Sequence, residues 1–153
     1  SLFIQSLNSL MVSADIPTTG WTVASVSAEA PAYPAVSAFD RLNKTYWYTY
    51  YSGSTVYHPH HITIDMGKEW TVTRFRYRPR GSSNAGRVKD YSIEVSLDNA
   101  TYTEVSRGVF PDDSVTEIID IDSTKARYFR FTAYSNQTGY SHTSVAELFA
   151  LGY

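Results

Sequence analysis

Side chains alternate apolar and polar along Tyr91–Leu97, and this alternation constrains the chain more than any other feature. Tyr91, Ile93, Val95 and Leu97 fall on one face of an extended segment, and Ser92, Glu94 and Ser96 on the other. A period of two belongs to a strand, so this segment is predicted to be buried on one side and wet on the other. Similar short runs recur at His61–Met66, closed by Gly67-Lys68, and at Val72–Tyr77, closed before Pro79. Glu117–Ile121, Arg127–Ala133 and Glu147–Tyr153 follow, and the Asp98-Asn99 turn pair predicts Thr101–Val105 as a hairpin partner of 91–97. Helical periodicity is confined to one short candidate, Ala35–Arg41. The expectation is an all-β fold, a sandwich of two antiparallel sheets. With 153 residues and no internal repeat or linker, residues 1–153 read as one domain. Residues 1–19 form an N-terminal lead-in, in which Ser6–Met11 could be a helical turn or an irregular strand.

Charge limits the partners. Thirteen Lys and Arg against 15 Asp and Glu give a net charge of −2, which removes the broad electrostatic drive that nucleic acid or an anionic membrane surface requires. No apolar stretch approaches the 18 residues of a membrane span, and Ser-Leu-Phe-Ile at the start lacks the basic and apolar regions of a signal peptide. There is no Cys, so disulfides, thiol catalysis and thiolate-bound metals are excluded.

Catalytic patterns are missing as well. There is no Gly-x-Ser-x-Gly elbow, phosphate-cradling loop or His-Glu-x-x-His helix. His58, His60, His61 and His142 invite a metal reading, but neighbours in an extended segment point to opposite faces, and Pro59 makes this a loop. Asp112 and Asp113, between Pro111 and Ser114, read as turn residues.

Aromatic side chains make up 15% of the chain against 18% charged, and the Tyr46-Trp47-Tyr48-Thr49-Tyr50-Tyr51 run concentrates them. In extended backbone Tyr46, Tyr48 and Tyr50 share one face and Trp47 and Thr49 the other. If Trp47 anchors the core, the tyrosines project outward, where they suit stacking on the apolar C–H face of a sugar; the plainer alternative is that they roof the sandwich edge with their hydroxyls in water.

Six blocks then occur in order: Ala38–Trp47, Ile62–Gly67, Tyr77-Arg78-Pro79-Arg80, Gly86–Ser96, Ala126–Phe131 and Ser144–Leu148. Over about residues 20–153 they resemble the discoidin, or coagulation factor type C, domain, and within it the family 32 carbohydrate-binding modules. The resemblance implies a galactose-binding-like jelly roll with two sites. One is a structural calcium ion, for which it implies the side chains of Asp40, Thr45 and Glu147 and the carbonyls of Ser37, Leu42, Thr45 and Ala146. That donor set suits a cation wanting six to eight hard oxygens. Arg41 stands where the family often has Gly. The other is a glycan site on loops at one end of the sandwich.

For the glycan site the resemblance implies Arg80 and Asn84 as the pair that grips sugar hydroxyls, Tyr140 as stacking platform and His142 as second choice. Tyr48 stands where galactose-binding members carry a His directly after the tryptophan, and Glu29 and His58 border the same end. His60 is read as structural. The implied function is a non-catalytic module that targets a larger secreted or cell-surface glycan-active enzyme, bacterial in type, to terminal galactose or N-acetylhexosamine units. Its partners are then glycan ends and the other domains of the parent enzyme. The alternative is a discoidin-type adhesion or membrane-binding domain, against which the lack of Cys and the polar, Tyr-bearing loops count.

Overall fold

The computed structural model describes residues 12–53 and 55–153; the segment Ser6–Met11 lies outside them. Among the described residues there are nine strands and no α-helix: β1 (Ala14–Asp15), β2 (Thr22–Val26), β3 (Trp47–Tyr48), β4 (His60–Arg78), β5 (Asp90–Ser96), β6 (Thr103–Val109), β7 (Glu117–Ala133), β8 (Ser144–Val145) and β9 (Glu147–Gly152). The main sheet runs β1-β9-β4-β7-β5-β6, with β2 also on β4, and β3 pairs β8 separately. All named strand pairs are antiparallel.

A sandwich arises because β4 and β7 bend together. Asp65 pairs Tyr128 and Trp70 pairs Ala126, so Met66, Gly67, Lys68 and Glu69 bulge opposite Arg127 alone. Gly67 adopts φ 87°, a conformation that costs glycine least. Its N–H is held by Asp65 Oδ1 at 2.8 Å, and Arg127 grips both oxygens of that carboxylate, at 3.0 and 3.2 Å. The Arg127 guanidinium holds the Asp65 carboxyl below its ordinary range. Before the bend β4 carries β2 and β7's second half, flanked by β5 and β6; after it β4 carries β9 and β7's first half. The two halves face each other through their rings. Phe75 lies 4.9 Å from Phe129 and Tyr77 stacks 5.5 Å from Phe131, centroid to centroid. These four rings, with Ile62, Ile64 and Ile93, are almost wholly buried, each worth about 1.5–3 kcal/mol on leaving water.

Several expectations change in detail. His61–Met66 and Val72–Tyr77 are not separate strands, because Gly67-Lys68 bends β4 without ending it; Glu117–Ile121 and Arg127–Ala133 likewise merge into β7. The hairpin partner of β5 is Thr103–Val109, later than predicted, since the Asp98 carboxylate bonds the N–H groups of Ala100 and Thr101 and lengthens the turn. The outer face of β5 is not wet: Ser92 is buried against the Tyr134 hydroxyl, 2.9 Å away, and Ser96 takes the N–H groups of Asp98 and Asn99. Leu97, beyond the strand, is exposed. The helix at 35–41 is a 3-10 turn over Ala35–Phe39. Part of the lead-in belongs to the fold, for Ile16 is buried and its N–H meets the Ala150 carbonyl at 2.8 Å.

Loops at one end are tied to this frame through Gly86, whose φ is 74°. The Ser144 N–H donates to its carbonyl at 2.8 Å, and a Cβ at Gly86 would lie 2.6 Å from Ser144 N and 2.8 Å from Thr143 C. Backbone cannot retreat as a flexible side chain would. Gly86→Ala is therefore expected to cost about 2 kcal/mol or more in denaturant unfolding. A loss under about 0.5 kcal/mol would show that the two loops are not held as described.

Candidate functional site

Around β3 the chain alternates as extended backbone must. Trp47 and Thr49 are fully buried, with Trp47 Nε1 donating to the Ala28 carbonyl at 2.8 Å. Tyr46, Tyr48 and Tyr50 therefore emerge on the opposite side. The segment is clamped from both flanks, by Tyr48 N–H on the Tyr33 carbonyl (3.1 Å) and by Thr49 N–H on the Thr143 carbonyl (3.0 Å).

Those clamps build a continuous aromatic row. Tyr33 stacks on Tyr46 at 4.7 Å, Tyr48 meets Tyr46 and Tyr50 each at 6.1 Å, and Tyr50 meets His142 at 5.0 Å. His142 in turn lies 5.8 Å from Tyr140, their rings nearly parallel. Tyr140 is 68% exposed, an open platform. The Arg80 guanidinium sits 4.3 Å above Tyr46 and 5.5 Å from Tyr48. Burial raises the hydroxyl pKa values of Tyr46 and Tyr48, opposed in part by the Arg80 charge, so both remain neutral donors.

Two residues that sequence reasoning gave no role position these groups. Asn136 is buried, and its amide organises the last loop: Nδ2 donates to the His142 carbonyl at 2.6 Å, while Oδ1 accepts from Thr138 N, Thr138 Oγ1 and Tyr140 N, each at 3.1 Å. Arg87 is buried too; it pairs with Asp112 at 2.9 Å and reaches the Arg80 carbonyl at 3.4 Å, so Asp112 anchors the arginine loop besides turning the chain. Asn136 works within its own loop, as an Asn turn does, so Asn-x-Thr was the signal that could have found it, whereas Arg87 reaches Asp112, 25 residues away, and nothing local marks that. Tyr33 was also missed, although its place in Ala30-Pro31-Ala32-Tyr33-Pro34 signals a loop aromatic.

The other predicted residues fall as follows. Tyr48, Tyr140, His142 and Arg80 come together. Asn84 is exposed in the Arg80 loop, with its carbonyl accepting the Arg87 N–H. Glu29 uses its carboxylate on the Ala35 N–H, 2.6 Å away, and so fixes the start of the 3-10 turn. His58 bonds Thr143 Oγ1 at 2.9 Å; burial first, then His60 and His142, pushes it down to about 4, so it is neutral at pH 7. His60 is structural, with Nε2 on the Ser141 carbonyl and Nδ1 by Ser27 Oγ. Among the described residues no cluster of three or more His, Asp or Glu side chains is placed to hold a metal, and His58 and His60 turn ring nitrogens to Thr143 Oγ1 and the Ser141 carbonyl.

A pair of carboxyls joins the Asp40–Thr45 loop to the start of β9. Glu147 is fully buried; Oε1 accepts the Arg41 N–H at 2.9 Å, no backbone or side-chain N–H or hydroxyl donor bonds Oε2, and the Asp40 carboxyl lies beside it. Asp40 takes the Leu42 N–H at 3.0 Å and the Thr45 hydroxyl at 2.5 Å. Burial, and then the neighbouring Asp40 carboxyl, pushes Glu147 up to about 8. Arg41 has φ 64°, the left-handed conformation that turns this loop and that Gly adopts most readily.

A folded-back antiparallel sandwich with an aromatic loop end defines the class, and the F5/8 type C domain model matches residues 22–148: the chain belongs to that family. Its structure also matches family 32 carbohydrate-binding modules. The module from Clostridium perfringens NanJ, solved with galactose, is 28% identical with a TM-score of 0.82, over 92% of this chain and 99% of that one. A module of a C. perfringens family 89 enzyme, solved with GalNAc-β-1,3-galactose, is 26% identical with the same TM-score, over 90% and 99%. A sialidase of Micromonospora viridifaciens is 32% identical over 132 residues, 83% of this chain and 20% of the sialidase. A galactose oxidase of Gibberella zeae is 28% identical over 149 residues, 95% of this chain and 22% of the oxidase. The chain thus spans about a fifth of the length of these curated relatives.

Proposed function

We propose that this chain is a non-catalytic sugar-binding module of a larger secreted or cell-surface glycan-active enzyme, which it holds against terminal galactose- or N-acetylhexosamine-type units. The observation that carries this reading is the aromatic row from Tyr33 to Tyr140 with Arg80 lying over it. Aromatic faces stack on sugar C–H faces, and a guanidinium reads hydroxyls with donors in a fixed fork. The ligands solved with the two clostridial modules support the sugar class, and the match to one part of a sialidase and of a galactose oxidase supports a larger parent. Because the site is an open platform, single-sugar affinity is weak, about millimolar, and neighbouring modules add avidity.

Titration by NMR against galactose, N-acetylgalactosamine, N-acetylglucosamine and galacturonic acid tests this. Shifts in Tyr48, Tyr140 and His142 are expected with at least one neutral sugar. No binding at millimolar sugar, with co-sedimentation on anionic liposomes instead, would overturn the reading in favour of a membrane-binding domain.

The buried Asp40–Glu147 pair is read as the seat of a structural calcium ion. A buried carboxylate oxygen without an N–H or hydroxyl donor, a second carboxylate and the Thr45 hydroxyl beside it form a donor set of hard oxygens that a divalent cation would satisfy. The carbonyls of Ser37, Leu42, Thr45 and Ala146 would complete the shell.

A further inference from the structure

Beside the aromatic row, a cleft of about 380 Å³ opens between the 43–46 segment and the Arg80 loop, lined by Asn43, Lys44, Tyr46, Arg80, Gly81 and Ser82 among others. Its charge is one-sided. Lys44 and Arg80 line it, and no Asp or Glu does. Ion pairs among the described residues engage other arginines and involve neither of these two cations. Asp40, the nearest carboxylate in sequence, already accepts from Leu42 N and Thr45 Oγ1.

The polar groups present are mostly donors. Asn43 Oδ1 accepts from Arg78 Nη1 at 2.9 Å, which leaves the amide nitrogen to donate. Stacking on Tyr46 uses the face of the Arg80 guanidinium, and its Nε donates to Ser82 Oγ at 3.3 Å, so Nη donors at the guanidinium's end remain to meet an anion's oxygens. Gly81 leaves the mouth open, for a Cβ there would meet nothing within 4 Å. Tyr46 belongs both to this cleft and, by stacking on Tyr33, to the row, so a ligand lying along the row continues into the cleft.

We infer that this cleft is a second subsite for an anionic sugar unit, one bearing a carboxylate or a sulfate ester, adjacent to the unit stacked on the aromatic row. The inference rests on the glycan-binding reading above. It gives a chain of net charge −2 a local preference for acidic glycans.

Calorimetry on the whole domain tests it, with a neutral galactose disaccharide, its 6-sulfated form and the equivalent disaccharide carrying a hexuronic acid. In low salt at least one acidic probe is expected to bind about five- to tenfold tighter than the neutral one, and which one does so identifies the anion. That ratio should fall below about twofold in Lys44→Gln and in 0.5 M salt, and persist in Lys44→Arg. Equal affinity for neutral and acidic probes, or a preference that survives Lys44→Gln, overturns the subsite while the glycan reading stands. Failure of all three probes to bind sinks both.

Discussion

Stripping calcium with a chelator is expected to lower the melting temperature by about 10 °C near pH 7.5. A cation held at about a thousandfold above its dissociation constant stabilises the folded state by about 4 kcal/mol, and in a domain of this size each kcal/mol moves the midpoint by about 2–4 °C. The physical source is the environment of Glu147. Its carboxyl is fully buried beside Asp40, and one oxygen is without an N–H or hydroxyl donor, so the cation-free fold must protonate it or bear an uncompensated charge. Glu147→Gln separates the explanations. The variant should melt at the same temperature with and without chelator, and no lower than the chelated parent, because an amide needs no counter-charge. An unchanged melting temperature on chelating the parent protein would overturn the calcium reading.

Arg80→Ala is expected to reduce sugar affinity at least tenfold, below detection in a millimolar titration, while unfolding free energy changes by less than about 0.5 kcal/mol. The guanidinium lies on Tyr46 and Tyr48 at the solvent side of the row and joins none of the ion pairs among the described residues, so the fold loses little with it. The sugar loses a forked set of donors beside the stacking faces. Arg80→Lys keeps the charge without the fork and should fall between the two. Parent-like affinity in Arg80→Ala would take this residue out of the site, and a large drop in stability would make it structural instead.

Local alternation was a sound guide where a strand had one face toward the core, as Tyr91, Ile93 and Val95 show. It failed on β5's other face, because Ser92 is covered by Tyr134, 42 residues away, and no local pattern reports such a partner. Continuity across Gly67 was illegible for a similar reason. A glycine next to lysine reads as a stop, whereas here the Arg127–Asp65 pair holds the bend and the strand resumes. In the site, the face shared by Tyr46, Tyr48 and Tyr50 followed from the period of two with Trp47 as anchor. Arg80 came from the ordered blocks, and Tyr140 from the loop before the last of them that the resemblance makes a stacking platform. Asn136 turns its own loop and was open to a local reading, whereas Arg87 gave no signal, since its partner Asp112 lies 25 residues away.

The amino-acid sequence by itself therefore determined the strand-forming segments, the all-β class and the outward tyrosines, because side-chain periodicity is a property of neighbours along the chain. Only the tertiary structure decided that β4 and β7 fold back to bring Phe75 onto Phe129, that Glu147 is sealed beside Asp40, and that rings from three separate segments of the chain meet in one row. Those are contacts between residues tens of positions apart, and the burial and charge that make them functional exist only once the sandwich has closed.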